Sequence, residues 1–492
     1  MRVHLVGVAG TGMGQLASLL RDAGHDVSGS DMAFDPPMGP ALEAAGIRCL
    51  KGYDAAHIEP GLDLVVVGNA IRKENPEAAR AAELGLTRAS MSATLREHFL
   101  TGRRPLVVTG THGKTTTSSM CAWILHEAGL EPGFFIGGLP KNFTSGAAIG
   151  LSRRKIVTTA EGASAKPAPF VVEGDEYDAV YWNKQPKFFD YIGVGRDDVA
   201  ILTSIEQDHI DIYPSVAVYE AQFEELLRRM PPEGLLACDA RDARARAITL
   251  AHARSKTLFY ALDGDDTGDV TPTWLGVLAP PDKDTGAQPF DLFAGGSYCG
   301  RFALRVPGAH NVRNAVGAIA ACAEGFGVGL AAARGALASF EGVRRRQDLL
   351  GRPSGVAVYD DFAHHPTAVD ETLRALRARH PGGRLWAVFE PRSATACRAL
   401  HQQDYVGAFG AADRVVFAPL GRTNVPEAER LDLARLARDL GDKAEAALSV
   451  DAILDRLVRD AEPGDTIALL SNGAFGGIHA RLLAALEGRG QA

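Results

Sequence analysis

Three things are missing from this sequence, and each absence closes off a class of function. Long apolar runs come first: no window holds the roughly 18 uninterrupted apolar residues of a membrane-crossing helix. The Ala-rich stretch 315–334 comes nearest, and Glu324 and Arg334 break it, so no membrane partner is expected. Paired cysteine is the second. Cys49, Cys121, Cys238, Cys299, Cys322 and Cys397 include no CxxC spacing, so a zinc site is not expected. In a chain of 492 residues they read as reduced core thiols, which points to the cytoplasm. Positive charge is the third. The formal net charge is −8, whereas a nucleic-acid binder is more often basic overall, so nucleic acid is not an expected partner. A small anionic substrate remains compatible, because a local loop can be positive inside a negative protein.

A fourth pattern is present only in broken form. The opening MRVHLVGVAGTG is too short in its apolar part for a secretory leader and reads as a first strand running into glycines. A nicotinamide fingerprint needs GxGxxG with an acid about 20 residues on. Gly10, Gly12 and Gly14 make GxGxG instead, followed by Asp31. Such a turn can take a diphosphate, but the dehydrogenase pattern is not met.

What is there belongs to a globular α/β protein. Hydrophobic residues are 46% and charged residues 23% of the chain, and the length suggests about three domains. The first segment, 1–103, has βαβ rhythm: strands Val3–Val8 and Leu64–Val67, a strand ending at Asp31, and a helix Met13–Ala23. The second, 104–342, carries strands at Leu106–Val108, Phe170–Val172 and Ile201–Ile205, a polar loop-like stretch Ser152–Pro169, and a polar loop or hairpin Asp263–Gln288. The third, 343–492, again alternates: strands Val356–Tyr359, Leu385–Phe389, Arg414–Phe417 and Thr466–Leu470, helices Thr367–Arg379, Leu433–Leu440 and Ala452–Asp460. Parallel sheets are implied.

Five motifs carry chemistry. The strongest is Gly110-Thr111-His112-Gly113-Lys114-Thr115-Thr116, between an apolar strand and a helix with Met120, Ile124 and Ala128 on one face. Backbone amides of such a loop cradle phosphate oxygens. Lys114 adds charge at the β- and γ-phosphates, and Thr115 offers a hydroxyl to Mg²⁺. Glu173 ends the next strand, where a carboxylate can hold Mg²⁺ opposite Thr115, or can equally begin an acidic surface loop. His209, in Glu206-Gln207-Asp208-His209, is a second metal ligand or a turn residue. His310 and Asn314, at i and i+4, share a helix face that can grip a purine, unless the motif merely caps the helix through Asn311. Asp361 and His364, in Asp360-Asp361-Phe362-Ala363-His364-His365-Pro366, could meet a ribose and a phosphate. Because consecutive side chains diverge, the adjacent His364 and His365 are not read as a metal chelate.

In this order, TGTHGKTTT, EGDEYD, EQDH, HNVRN and DDFAHHP resemble the motifs of the Mur ligase family, and the resemblance covers nearly the whole chain. It implies three α/β domains: a Rossmann-like UDP-binding domain (1–103), a P-loop ATPase-like domain (104–342), and a Rossmann-like domain (343–492) closing on ATP and binding the incoming peptide. It implies ATP and Mg²⁺ as cofactors, with Lys114, Glu173 and His209 catalytic and Thr115, Glu173 and His209 on the metal. ATP contacts are implied at Gly110, Thr111, His112, Gly113, Lys114, Thr115, Thr116, His310, Asn314, Arg345, Asp361 and His364. Gly10, Thr11, Gly12, Met13, Asp31 and Asn69 are implied for the UDP-sugar.

Within the family, Phe135–Gly138 with Asn142-Phe143, Glu173–Tyr177, Lys184 with Lys187-Phe188, and Phe389–Ser393 resemble members that add L-alanyl-γ-D-glutamyl-meso-diaminopimelate to UDP-N-acetylmuramate in murein recycling. Ala394 and Ala396 depart from that pattern. Arg392, Lys184 and Lys187 are then expected at the peptide, in a cytoplasmic monomer or weak dimer. The alternatives are an L-alanine-adding member, or a nucleotide sensor without activity, against which intact Lys114, Thr115, Glu173 and His209 argue.

Overall fold

The computed structural model describes residues 1–36, 38–151, 154–159, 162–282, 285–422 and 424–489. The first sheet has five parallel strands in the order Arg48–Lys51, Asp26–Asp31, Arg2–Val6, Leu64–Val67, Arg88–Ser90. The order reverses between Arg2–Val6 and Leu64–Val67. Ligands of open α/β sheets bind beyond the carboxyl ends of the strands at such a switch point. Gly10–Met13, Asp31 and Asn69 all lie there. Helix Thr11–Asp22 begins one residue after Gly10, earlier than the Met13 start expected.

The central sheet has ten strands. Its order is Ser297–Leu304, Gln288–Ala294, Trp274–Leu278, Lys256–Leu262, Leu235–Asp239, Val199–Leu202, Arg104–Thr109, Pro169–Glu173, Gly133–Phe135, Ala147–Ala148. The interior pairs are parallel, and antiparallel strands close both edges. The polar insert 263–288 supplies the strand Trp274–Leu278 and leads into an antiparallel hairpin; residues 283–284 lie outside the described residues. The stretch 152–169 is not a loop: Arg154–Thr159 pairs antiparallel with Gly162–Pro167, while residues 152–153 and 160–161 lie outside the described residues.

Helix Lys114–Glu127 is not amphipathic either. Residues from Thr115 to Leu125 are buried except Trp123, because the helix is packed beside helices Ala309–Phe326 and Leu330–Ser339. Its threonines and serines therefore face protein, and Ser119 Oγ donates to Thr115 O at 2.6 Å.

The third sheet runs Asp348–Gly351, Ala357–Asp361, Thr466–Leu470, Leu385–Phe389, Arg414–Phe417, Ala444–Ala446. Only its first pair is antiparallel. Two apolar layers cover it, one around Tyr359, Phe389 and Phe417, the other around Trp386, Phe475 and Leu482. The first two segments do not keep separate cores. One apolar cluster runs from Leu5 and Val66 through Leu95 to Phe170, Tyr191 and Phe223, which holds the first sheet against the end of the second.

Candidate active site

Strand Arg104–Thr109 delivers the chain to a four-residue loop, and helix Lys114–Glu127 starts directly after it. Gly110 and Gly113 have φ of +116° and +81°, a region open to glycine and costly for other residues. A Cβ on Gly113 would stand 2.7 Å from Asn314 Oδ1. The two glycines thus leave backbone open at a helix N-terminus, which is what an anion cradle requires. Lys114 Nζ donates to Gly110 O (2.5 Å) and Thr111 O (3.1 Å) and pairs with Glu176 Oε1 (2.8 Å). Glu176 is 1% exposed. Burial pushes its carboxyl up, and the charges of Lys114 and His209 pull the other way. Nothing in the stretch Glu173–Asp178 distinguished Glu176 as a partner of the lysine.

Thr115 Oγ1 donates to Glu173 Oε1 at 2.7 Å, and Gly137 N donates to Oε2 at 2.6 Å. A hydroxyl and a carboxylate held together at a strand end form an oxygen donor set that fits Mg²⁺. His209 stands elsewhere: Nε2 is 3.9 Å from Glu176 Oε2 and 4.0 Å from Asp208 Oδ2, and its ring packs on Tyr177 at 4.3 Å. The expected ligands thus divide, with Thr115 and Glu173 joined and His209 set against the partner of Lys114.

One cavity opens between the loop and the third segment. Gly113, Thr115 and Thr116 line it together with His310, Asn314 and Asp361, so these expected nucleotide residues are gathered. His310 Nε2 lies 3.1 Å from Gln347 Nε2, and burial lowers its pKa. Asp361 accepts from the amides of Gln347 and Ala363, both at 2.7 Å. An adjoining cavity of about 250 Å³ adds Asp239, Arg241 and Arg313, three residues that sequence reasoning missed. Burial pushes the Asp239 carboxyl up to about 7 against the pull of Arg313.

Two other residues expected at the nucleotide, Arg345 and His364, are engaged by protein groups. Arg345, at φ +60°, turns into its own segment, where it donates to Ser471 O (2.8 Å), Gly473 O (2.7 Å) and Asp360 Oδ2 (3.2 Å). Its neighbour Arg346 lines the cavity and reaches Thr115 Oγ1 at 3.4 Å. The left-handed turn at Arg345 sends the two side chains to opposite sides. His364 pairs with Asp208 Oδ2 at 3.5 Å instead of lying over the phosphate loop. Burial would raise Asp208, yet the hydrogen bond from His364 and the charge of His209 hold it well below the usual carboxylate range.

A third cavity, of about 410 Å³, joins Gly10, Thr11, Gly12, Met13, Asp31 and Asn69 to Lys114 and Glu173. Asp31 shapes its turn by accepting from Ala9 N (2.9 Å) and Tyr53 OH (3.3 Å). Burial, with the Asp31 charge behind it, raises Tyr53 to about 12. The three residues expected at a peptide are not gathered. Lys187 lines this same cavity, paired with Asp175 at 2.7 Å. Lys184 is exposed and pairs with Asp178 at 2.8 Å. Arg392 lies in the third segment across Gly421 and Gly473, 3.7 Å from Glu390. The closeness of Lys184 and Lys187 in sequence did not carry through the fold: Lys184 belongs to a short hairpin, and the helical turn Lys187–Asp190 faces inward.

A glycine loop at one helix start, an oxygen donor pair and a second glycine-rich helix start open on one cavity, a layout expected of an ATP-dependent ligase, and comparison with known proteins assigns the family along the whole chain. The Mur ligase family, catalytic domain matches residues 2–102, the Mur ligase middle domain 108–322, and the Mur ligase, glutamate ligase domain 345–473. The chain belongs to the Mur ligase family; it is an ATP-dependent carboxylate–amine ligase. It is 37% identical over 493 residues, 100% of both chains, to the UDP-N-acetylmuramate–L-alanyl-gamma-D-glutamyl-meso-2,6-diaminoheptandioate ligase of Escherichia coli K12. It is 35% identical, over 98% of each chain, to the UDP-N-acetylmuramate–L-alanine ligase of Chloroflexus aggregans. Among solved structures it resembles a murein peptide ligase from Psychrobacter arcticus (TM-score 0.70, 33% identity, 99% of each chain).

Proposed function

We propose that this ligase joins L-alanyl-γ-D-glutamyl-meso-diaminopimelate to the lactyl carboxylate of UDP-N-acetylmuramate, as a cytoplasmic monomer or weak dimer in murein recycling. The observation that carries the reading is the cavity shared by the helix start Gly10–Met13, Lys114 and Glu173. It lets a nucleotide sugar held there present its carboxylate at the phosphate loop. Full-length similarity to a ligase named for this tripeptide supports the choice of amine.

The residues divide the work. Gly10, Thr11, Gly12, Met13, Asp31 and Asn69 hold the UDP-sugar. Lys187 shares their cavity, and we assign it to the acceptor side instead of the peptide. His310, Asn314 and Asp361 hold the adenosine end of ATP, and Gly110–Thr116 its phosphates. When bound, Mg²⁺ supplies further neutralisation of phosphate charge; Thr115 and Glu173 would hold it, with His209 serving a second position. As the lactyl oxygen takes the terminal phosphoryl group and ADP leaves, Lys114 and the loop amides stabilise the developing negative charge. The peptide amine then attacks the acyl carbon and inorganic phosphate departs. Arg392 is offered to a peptide carboxylate, which a guanidinium can hold through two bonds.

Phosphate release from ATP with UDP-N-acetylmuramate and either amine tests the reading. Tripeptide should turn over well and L-alanine poorly, and Arg392→Ala should raise the KM for tripeptide far more than that for ATP. Faster ligation of L-alanine by the unmodified enzyme would assign it to the alanine-adding members instead.

A further inference from the structure

His365 is unexplained by the ligase chemistry. It is 6% exposed, at the N-cap of helix Pro366–Arg379, and neither ring nitrogen has a hydrogen-bond partner among the described residues. Buried polar groups are ordinarily paired. Its Nδ1 lies 3.2 Å from Glu206 Oε2 without the alignment of a hydrogen bond. The same carboxylate oxygen lies 3.3 Å from His112 Nε2, and the two imidazole rings are 4.7 Å apart. All three ligand atoms fall within 4.8 Å of one another.

Those spacings have a chemical meaning. Zinc–nitrogen and zinc–oxygen bonds of about 2.0–2.1 Å in a tetrahedron place neighbouring ligand atoms roughly 3.3–3.4 Å apart. Two edges of the cluster already have that length. The donor set differs in kind from the Thr115–Glu173 oxygens: two imidazoles and one carboxylate suit zinc and its neighbours better than Mg²⁺. Thr367 Oγ1 donates to Glu206 Oε2 at 2.6 Å, the outer support that ligand carboxylates usually have. Burial holds the His365 ring neutral, which leaves it a lone pair for a metal; a bound ion would take the place of the proton between His112 Nε2 and Glu206 Oε2. The adjacent His364 diverges toward Asp208, so the site is built from distant parts of the chain and not from the His-His pair.

We infer that His112, Glu206 and His365 form a binding site for a transition-metal ion of the zinc class, separate from the Mg²⁺ position. His112 belongs to the phosphate loop and His365 to the third segment, so a bound ion ties the two together. Three protein ligands leave the fourth tetrahedral position to water or a phosphate oxygen.

Metal titration of the full-length, tag-free protein after chelator treatment tests the site independently of ligase activity. One equivalent of Co²⁺ should give the intense visible bands of a tetrahedral nitrogen–oxygen site, displaced by Zn²⁺ and unaffected by millimolar Mg²⁺. His365→Gln and Glu206→Gln should each weaken binding at least about ten-fold, since even outer-shell losses cost this much, whereas Glu173→Gln should leave the signal intact. His112→Asn, on the loop, supplies a third variant should His365→Gln fail to fold by circular dichroism. Absence of the tetrahedral signal in the unmodified protein, or its survival in folded His365→Gln or His112→Asn, overturns the assignment. So does its loss in Glu173→Gln, which would place the ion at the Mg²⁺ position.

Discussion

Lys114 and Glu176 form an ion pair at 2.8 Å, with side chains 14% and 1% exposed. The lysine proposed to serve the phosphates is thus held by a carboxylate from beyond the neighbouring strand. Removing one member of a buried pair costs about 3–5 kcal/mol because it strands the other charge, whereas removing both costs far less.

Lys114→Ala should therefore destabilise the protein and also lose turnover, by on the order of 10²–10³ or more for a central charge. Adding Glu176→Gln should restore most of the stability and none of the activity. Urea unfolding and phosphate release, measured on both variants, separate the two roles. A double variant no more stable than Lys114→Ala would show that the pair is not energetically coupled.

Thr115→Val and Glu173→Gln should each raise the Mg²⁺ concentration for half-maximal activity by at least about ten-fold, since Mg²⁺ is held through few protein oxygens. His209→Ala should raise it less, because His209 faces Glu176 and Tyr177. A Mg²⁺ titration of His209→Ala that matches the parent would make His209 purely structural.

Arg345 and Arg346 should behave oppositely despite being adjacent. Arg345→Ala loses bonds to Ser471 O, Gly473 O and Asp360 and should cost about 1.5–3 kcal/mol of stability. Arg346→Ala loses a side chain that lines the cavity proposed for the nucleotide and should raise the KM for ATP with little change in unfolding midpoint. The reverse pattern would return Arg345 to the nucleotide.

Asp239 carries a pH signature. Its carboxyl titrates at about 7 in the folded protein, against about 3.9 in an unfolded chain. Between these values the native state binds more protons, so stability falls as pH rises through the window, and the cost is complete above it. Asp239→Asn can keep the bond from Arg241 N to Oδ1, 3.0 Å long in the parent, and should be more stable than the parent by on the order of 2 kcal/mol at pH 8. The two should converge near pH 4. A larger advantage at pH 4 than at pH 8 would contradict the assignment.

What the sequence determined was local. An apolar strand followed by Gly110–Lys114 can only turn sharply into a helix, because glycines at positive φ and the following helix formers act within a few residues of each other. The helix start Gly10–Met13 and Asp31 follow from the same short-range rules, and Glu173 from its place at a strand end. The parallel sheets followed from alternation of strands and helices, although the apolar face of helix Lys114–Glu127 does not reveal that its polar face is buried too, by partners distant in sequence. The tertiary structure alone decided which charges meet. Glu176 pairs with Lys114, Arg346 rather than Arg345 lines the cavity beside the loop, and Lys187 lines the cavity at Gly10–Met13. Each depends on the direction of one side chain among neighbours dozens to hundreds of residues away. His365 became a ligand candidate only when the fold brought His112 and Glu206 to it, because burial and Coulomb attraction act over ångströms in space and have no counterpart in residue spacing.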